Sequence, residues 1–214
     1  MKVNIEKNNV YIFPKVIYVA VYFLAFAILV GIYFVCSRTT YEIDMITRDP
    51  VAVLNGKPFT GFLSNIGILV WAFTVAVIFY STLILQMQQN KNEILFLLSS
   101  GIITSILLLD DLFMIHEMVA PYYLKIPEHI TYLIYGLLIS TYLILSIKKI
   151  LRTNYIFLMM AMFFLGASLI TDIFEVEGDW LLLEDGLKFL GIVSWFIYFF
   201  ELCLKLLLFY KNDD

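Results

Sequence analysis

Charged residues are scarce in this chain: Lys, Arg, Asp and Glu together make up 15% of its 214 residues. Soluble domains carry about 25% charged residues, and the hydrophobic share here is 62%. This composition excludes an ordinary soluble domain and predicts an all-α integral membrane protein. The formal net charge of −4 provides no basic excess for contacts with phosphates, so no nucleic acid is expected as a partner.

Cysteine is rare in this chain, and the short motifs that indicate nucleotide binding or redox chemistry are missing. Cys36 and Cys203 are expected near opposite faces of the membrane, whereas a disulfide requires Cα atoms within about 7 Å. The sequence has no Walker loop, no glycine-rich dinucleotide turn and no Cys-x-x-Cys pair. Nothing therefore favours nucleotide binding or thiol redox chemistry.

Long apolar runs are abundant, and each is close to the roughly 20 residues that a helix needs to cross a bilayer. We predict a single domain, residues 1–214, built as a polytopic bundle of six transmembrane helices. The predicted spans are residues 14–35, 64–85, 94–114, 130–147, 155–174 and 185–209. The long outer loop, residues 37–65, is either a lid over the bundle or an interfacial tether. The first span lacks a small-x-small cleavage site, so we expect it to be retained.

The distribution of Lys and Arg predicts the orientation of these spans. Nine basic residues fall on the side of the two termini and five fall on the other side. Cytoplasmic loops are enriched in Lys and Arg, so both termini are expected in the cytoplasm. The expected location is a multi-pass cell membrane, the inner membrane if the protein is bacterial, with membrane lipids as partners.

A weak internal repeat relates the third and fourth spans to the fifth and sixth. Asp111 ends the third span in the way that Asp172 ends the fifth, and Glu128 opens the fourth as Glu184 opens the sixth. A parallel repeat of one hairpin would explain the match, and such repeats place sites at their interface. Chance similarity between short apolar segments is the alternative.

Polar residues concentrate at the predicted outer ends of these four spans. Ionisable groups at membrane depth are costly, so they persist mainly where they pair, bind an ion or line a wet cavity. The set comprises Asp110, Asp111, His116, Glu117, Glu128, His129, Asp172, Glu175, Glu177, Asp179, Glu184 and Asp185. It includes both histidines of the chain, so we predict a functional site on this face.

The carboxylates differ in how much explanation they need. Glu128, Glu184 and Asp185 lie at helix N-termini, where the helix dipole favours a negative charge. Asp110, Asp111 and Asp172 lie at the unfavourable C-terminal ends. If the third span continued as a helix through the histidine that follows, Asp110 and the glutamate seven residues later would share a face.

One interpretation is a metal-dependent hydrolase that acts on a lipid or another interfacial substrate. Carboxylate and imidazole ligands suit zinc, manganese or iron, and a bound water would become the nucleophile. The predicted ligands are Asp111, His116, Asp172 and Asp185; Glu117 or Glu184 is the predicted base; and Asp110, His129 and Lys188 are supporting residues. The spacing matches no known ligand signature, neither Glu-x-x-His nor His-Glu-x-x-His.

Two other interpretations use the same residues. In a channel, transporter or membrane sensor subunit the acids would gather cations or contact a partner, either a second copy or another membrane or cytoplasmic protein. In a structural role Lys188 would pair with Glu184, Asp111 or Asp172, and Lys125 would neutralise a nearby glutamate. The Ser and Thr hydroxyls within the spans are expected to satisfy the helix backbone or join helices.

Overall fold

Helices form all the regular structure in the part of the chain that the computed structural model describes, residues 15–87, 91–173 and 180–209. A segment of π-helix, Ile115–Leu124, separates the fifth α-helix from the sixth. The α-helices are α1 (Lys15–Arg38), α2 (Ile43–Thr47), α3 (Pro50–Val53), α4 (Phe62–Met87), α5 (Lys91–Phe113), α6 (Glu128–Ile150), α7 (Ile156–Ile173) and α8 (Trp180–Phe209).

Five of the described helices are long and apolar enough to cross a membrane, as expected for a multi-pass membrane protein. They cover Val19–Arg38, Phe62–Gln86, Glu93–Phe113, Glu128–Ile150 and Leu182–Leu208. The run predicted as the fifth span forms a shorter apolar helix, Ile156–Asp172. The all-helical prediction is confirmed; the count of six spans stays a prediction.

The chain divides into two compact units, and the first ends at Thr60. It contains α1 and two short helices within the predicted outer loop. Asp49 caps α3 by accepting a hydrogen bond from the backbone N–H of Val51 at 2.8 Å, and Pro50 is the first helical residue, where the missing N–H costs nothing. Asn55 adopts a positive φ of 52°, so the chain turns just after α3.

The second unit, from Gly61 onwards, arranges its helices as a curved row. α5 packs on α4, α4 on α8, and α8 on α7, while α6 joins the other end of the row through α5 and the π segment. Within the described residues no Cα atom of α6 lies within 8 Å of a Cα atom of α7. Helices in direct contact have axes about 8–10 Å apart, so these two do not pack backbone against backbone.

The core of this unit lies where α4, α5 and α8 meet. Trp71 and Trp195 are buried with their ring centroids 5.9 Å apart in an edge-to-face arrangement. The indole N–H of Trp195 donates to Oγ1 of Thr104 at 3.1 Å, and the hydroxyls of Ser100 and Tyr142 lie 2.7 Å apart. Many hydroxyls within the helices also donate to carbonyl oxygens three or four residues earlier, as predicted.

Gly191 allows α8 to approach α7, and this contact yields a stability prediction. A Cβ atom at this position would lie 2.6 Å from Cγ of Leu165 and 3.0 Å from its backbone nitrogen. We expect Gly191→Ala to lower the free energy of unfolding in detergent by about 1–3 kcal/mol, the usual range for overpacking.

The matched control for this variant is Gly186→Ala in the same helix, where an added Cβ meets no atom within 4 Å. That substitution should be neutral or stabilising by up to about 1 kcal/mol, because alanine favours a helix over glycine. Equal midpoints of thermal unfolding for the two variants would contradict the close contact between α7 and α8.

Candidate functional site

A cavity of about 340 Å³ opens inside the second unit, within the range of small-molecule sites. One end is polar and the other is apolar. The polar lining comprises Asp110, Asp111, His116, Glu117, Tyr132, Tyr135, Asp172, Glu184 and Lys188. The rest of the lining is mainly apolar: Trp71, Leu107, Gly136, Ile139, Ser140, Leu143, Met162, Leu165, Gly166, Ser168 and Leu169. We call this cavity the pocket.

Asp110 organises the polar end from the last turn of α5. Its Oδ1 accepts hydrogen bonds from the backbone N–H of His116 at 3.0 Å and from the hydroxyl of Tyr135 at 2.8 Å. Its Oδ2 contacts Nδ1 of the His116 ring. Asp110 is only 5% exposed, so these donors replace water around a carboxylate that the helix dipole disfavours.

The chain reverses immediately after α5, which brings His116 back to Asp110. Met114 adopts the left-handed conformation with φ of 49°, a strained backbone for a residue other than glycine. Because α5 ends at Phe113, the continuous helix considered through His116 does not form. The following turns are π-helical and include Pro121; π-helices are rare and frequent at functional sites.

His116 and Glu117 form an acid–base pair beside the pocket. Nε2 of His116 lies 3.3 Å from Oε1 of Glu117. Burial alone would lower the pKa of His116, but the hydrogen bonds and negative charges of Asp110 and Glu117 raise it to about 9. The hydrogen bond from His116 lowers the pKa of Glu117 despite partial burial. At neutral pH His116 is therefore protonated and Glu117 ionised.

Asp111 faces a different side of the bundle from Asp110. It accepts a hydrogen bond from Nε1 of Trp71 at 2.9 Å, and its other oxygen pairs with Nζ of Lys188 at 2.8 Å. These contacts tie α5 to α4 and α8. Of the three partners considered for Lys188, the ion pair forms with Asp111.

Tyr132 connects α6 to α7 across the gap between them. Its hydroxyl lies 2.5 Å from Oδ2 of Asp172 and 2.8 Å from Oε1 of Glu128. A phenol has one proton to donate, so Tyr132 cannot donate fully to both carboxylates at once. The Tyr132 ring also lies 5.1 Å from the His116 ring between centroids.

The structure brings most of the predicted site residues together, but not all of them. Asp110, Asp111, His116, Glu117, Asp172, Glu184 and Lys188 line the pocket. Asp185 and His129 are exposed and do not line it. Glu175, Glu177 and Asp179 lie outside the described residues.

Three donors to the carboxylates of the pocket are not among the residues predicted from the sequence: Trp71, Tyr132 and Tyr135. Tyr132 lies one helical turn after Glu128, and Tyr135 lies one turn further along α6. That spacing of three to four residues puts them on one face of the helix and could have identified the two tyrosines. The contact from Trp71 joins residues forty positions apart and had no local signal.

The described side chains do not form the predicted metal centre as they stand. Among the described residues no three His, Cys, Asp or Glu side chains converge in a way that could hold an ion. Asp111 is engaged by Lys188 and Asp172 by Tyr132. The metal therefore stays a prediction.

The raised pKa of His116 predicts how stability depends on pH. A folded-state pKa near 9, above the ordinary 6.5, contributes stability that is fully present below about pH 6.5 and is lost as the pH rises through 9. The difference in unfolding free energy between wild type and His116→Gln should therefore shrink over this interval, by on the order of 3 kcal/mol at most.

Thermal or denaturant unfolding in detergent at pH 6 to 10 measures this difference. His129→Gln is the matched control, because it removes the chain's other histidine from an exposed position. The same pH dependence in both variants would contradict the role of the contacts around His116.

Comparison with known proteins identifies a family but no function. Neither the curated proteins nor the solved structures include a match to the chain. Residues 16–202 match a family described as Domain of unknown function (DUF8692). Because the match covers most of the sequence, the protein belongs to the DUF8692 family.

Proposed function

We propose that the protein takes an amphiphilic lipid from the bilayer into the pocket of its second unit. The observation that carries this proposal is the division of one cavity into a charged end and an apolar end. Ligand sites are concave and mostly apolar, with a few placed polar groups that orient the ligand. A lipid has the same division into headgroup and chain.

The pocket as a whole has the direction and length expected for a headgroup followed by part of a lipid chain. From Tyr132 to Leu143 on α6, and from Asp172 back to Met162 on α7, the lining extends along the helices. At 1.5 Å per residue this distance is about 15 Å. A chain lying there would leave its headgroup among the carboxylates at the other end.

The gap between α6 and α7 provides access from the side. Gly136 on α6 and Gly166 on α7 both line the pocket, and an added Cβ at either position would meet no atom within 4 Å. The hydrogen bond between Tyr132 and Asp172 bridges the two helices at the polar end. The free space at Gly136 and Gly166 supports lateral access of a lipid between the two helices.

Crosslinking tests the proposal directly. A long-chain alcohol with a diazirine in its tail is photolysed with the protein in phosphatidylcholine vesicles, and labelled peptides are mapped by mass spectrometry. We expect labelling at pocket residues such as Leu143 and Met162. Gly136→Phe and Gly166→Phe should each reduce it at least about tenfold, because the ring occupies the space of the chain.

Gly31→Phe is the control for added bulk, since Gly31 also has open surroundings and does not line the pocket. It should leave the labelling unchanged. Labels confined to outward-facing residues such as Leu145 and Phe163, which are 80% and 68% exposed, would overturn the proposal.

A second candidate function, hydrolysis of the bound lipid, is favoured by the pair formed by His116 and Glu117. A protonated imidazole 3.3 Å from an ionised carboxylate offers a general acid beside a general base. Glu117 would take a proton from an attacking water while His116 donates one to the leaving group. Asp110 holds the ring in position through Nδ1, the part that a carboxylate plays in hydrolase triads.

Release of 4-nitrophenol from 4-nitrophenyl palmitate measures this reaction. Glu117→Gln should lower the rate by roughly 100-fold or more, the usual contribution of a general base. His129→Gln should leave the rate unchanged. A wild-type rate equal to that of vesicles alone would remove the hydrolase candidate and leave lipid binding intact.

A divalent metal is the competing occupant of the polar end. Asp111 would have to exchange Lys188 for the ion, and Asp172 would have to release Tyr132. Elemental analysis of wild type, His116→Ala and Asp172→Asn decides between the two occupants. Near-stoichiometric zinc, manganese or iron that is lost from both variants would establish the metal.

For the membrane arrangement we propose six spans with both termini in the cytoplasm, in the inner membrane if the protein is bacterial. α7 has 18 described residues, or about 27 Å of helix, close to the roughly 30 Å hydrocarbon core. The parallel hairpin repeat belongs to this proposal, with Asp111 and Asp172 as equivalent residues that both line the pocket.

A further inference from the structure

We infer that the lipid bound in the pocket has a positively charged headgroup, a protonated amine. This inference rests on the proposed function and adds the chemical class of the ligand. It starts from the balance of charge in the pocket. Five carboxylates line it, and Lys188 and His116 are the cationic side chains among its described lining.

Each of the two cationic side chains already contacts at least one carboxylate. Nζ of Lys188 lies 2.8 Å from Oδ1 of Asp111. His116 contacts Asp110 through Nδ1 and Glu117 through Nε2. Three of the five carboxylates therefore contact a cationic side chain of the protein, although the two positive charges offset only two of the three negative ones.

Asp172 and Glu184 are the two carboxylates that lack such a contact. Among the described residues neither has a basic side chain within ion-pair distance. Asp172 accepts a hydrogen bond from the neutral hydroxyl of Tyr132. Both carboxylates are half-buried, where an uncompensated charge is costly. A ligand that brings a positive charge would offset this cost.

The sequence between α7 and α8 provides no cation. Residues 174–179 read Phe-Glu-Val-Glu-Gly-Asp and contain no Lys or Arg. This stretch, which lies between Asp172 and Glu184 in the sequence, therefore adds three carboxylates to the chain and no basic side chain.

A protonated amine matches these groups better than the other common headgroups. It has one positive charge and up to three N–H donors, enough to contact both Asp172 and Glu184. A phosphate would add negative charge to a pocket that already has an excess of it. A hydroxyl could donate one hydrogen bond but would leave the charge uncompensated.

Competition among three probes with the same tail tests this inference. Hexadecylamine, hexadecanol and hexadecyl phosphate compete with the diazirine alcohol in zwitterionic phosphatidylcholine vesicles. We expect the amine to compete at least about tenfold more strongly than the alcohol, and the phosphate to be weakest, because charge-assisted hydrogen bonds are stronger than neutral ones.

Isosteric variants locate the selectivity within the pocket. Asp172→Asn and Glu184→Gln should each reduce the preference for the amine over the alcohol about tenfold, while labelling by the diazirine alcohol persists and shows that the pocket is folded. Asp185→Asn removes the same charge from the neighbouring exposed position and should keep the preference of the wild type.

The outcomes separate this inference from the proposed function. Equal competition by amine and alcohol, with labelling still in the pocket, would overturn the charged headgroup and leave lipid binding in place. Absence of labelling in the pocket would overturn both. Zinc chloride or manganese chloride is added in a separate assay. If the salt abolishes competition by the amine in the wild type but not in Asp172→Asn, the polar end binds a metal and the inference is overturned.

Discussion

The structure of the pocket depends on how the buried carboxylate of Asp110 is satisfied. It lies in the last turn of α5, where the helix dipole opposes a negative charge, and it is almost fully removed from water. The backbone N–H and ring of His116 and the hydroxyl of Tyr135 compensate it. Satisfying that carboxylate requires the chain to reverse at Met114, and the same contacts hold the start of α6 against α5.

Asp111 extends this organisation to the other side of the bundle. Its contacts with Trp71 and Lys188 join α5 to α4 and α8. Two adjacent residues thus contact opposite sides of the pocket, and α6 is held to α5 both there and further along, where the hydroxyls of Tyr142 and Ser100 meet. Because α6 does not pack against α7 along its length, the space between them stays open.

The sequence predicted the helices, and it placed most of the candidate site residues at the same ends of neighbouring helices. It did not predict the contacts between these residues. Apolar runs of about 20 residues identify spans from composition alone, and carboxylates at helix C-termini marked Asp110, Asp111 and Asp172 as exceptional. The left-handed backbone at Met114 could not be predicted, because no glycine or asparagine occupies that position. Contacts such as Tyr132 with Asp172 join residues forty positions apart, and only packing decides that Asp185 and His129 lie outside the pocket.

The pairing of the carboxylates separates structural roles from functional ones. A structural role requires each buried charge to find its partner within the fold, as Asp110 and Asp111 do. Asp172 and Glu184 line the same pocket, and among the described residues neither forms an ion pair with a basic side chain. Uncompensated carboxylates beside a membrane are costly to stability, so a fold that needed them only for packing would gain from replacing them. Their presence next to an apolar cavity is accounted for when the missing charge arrives with a ligand.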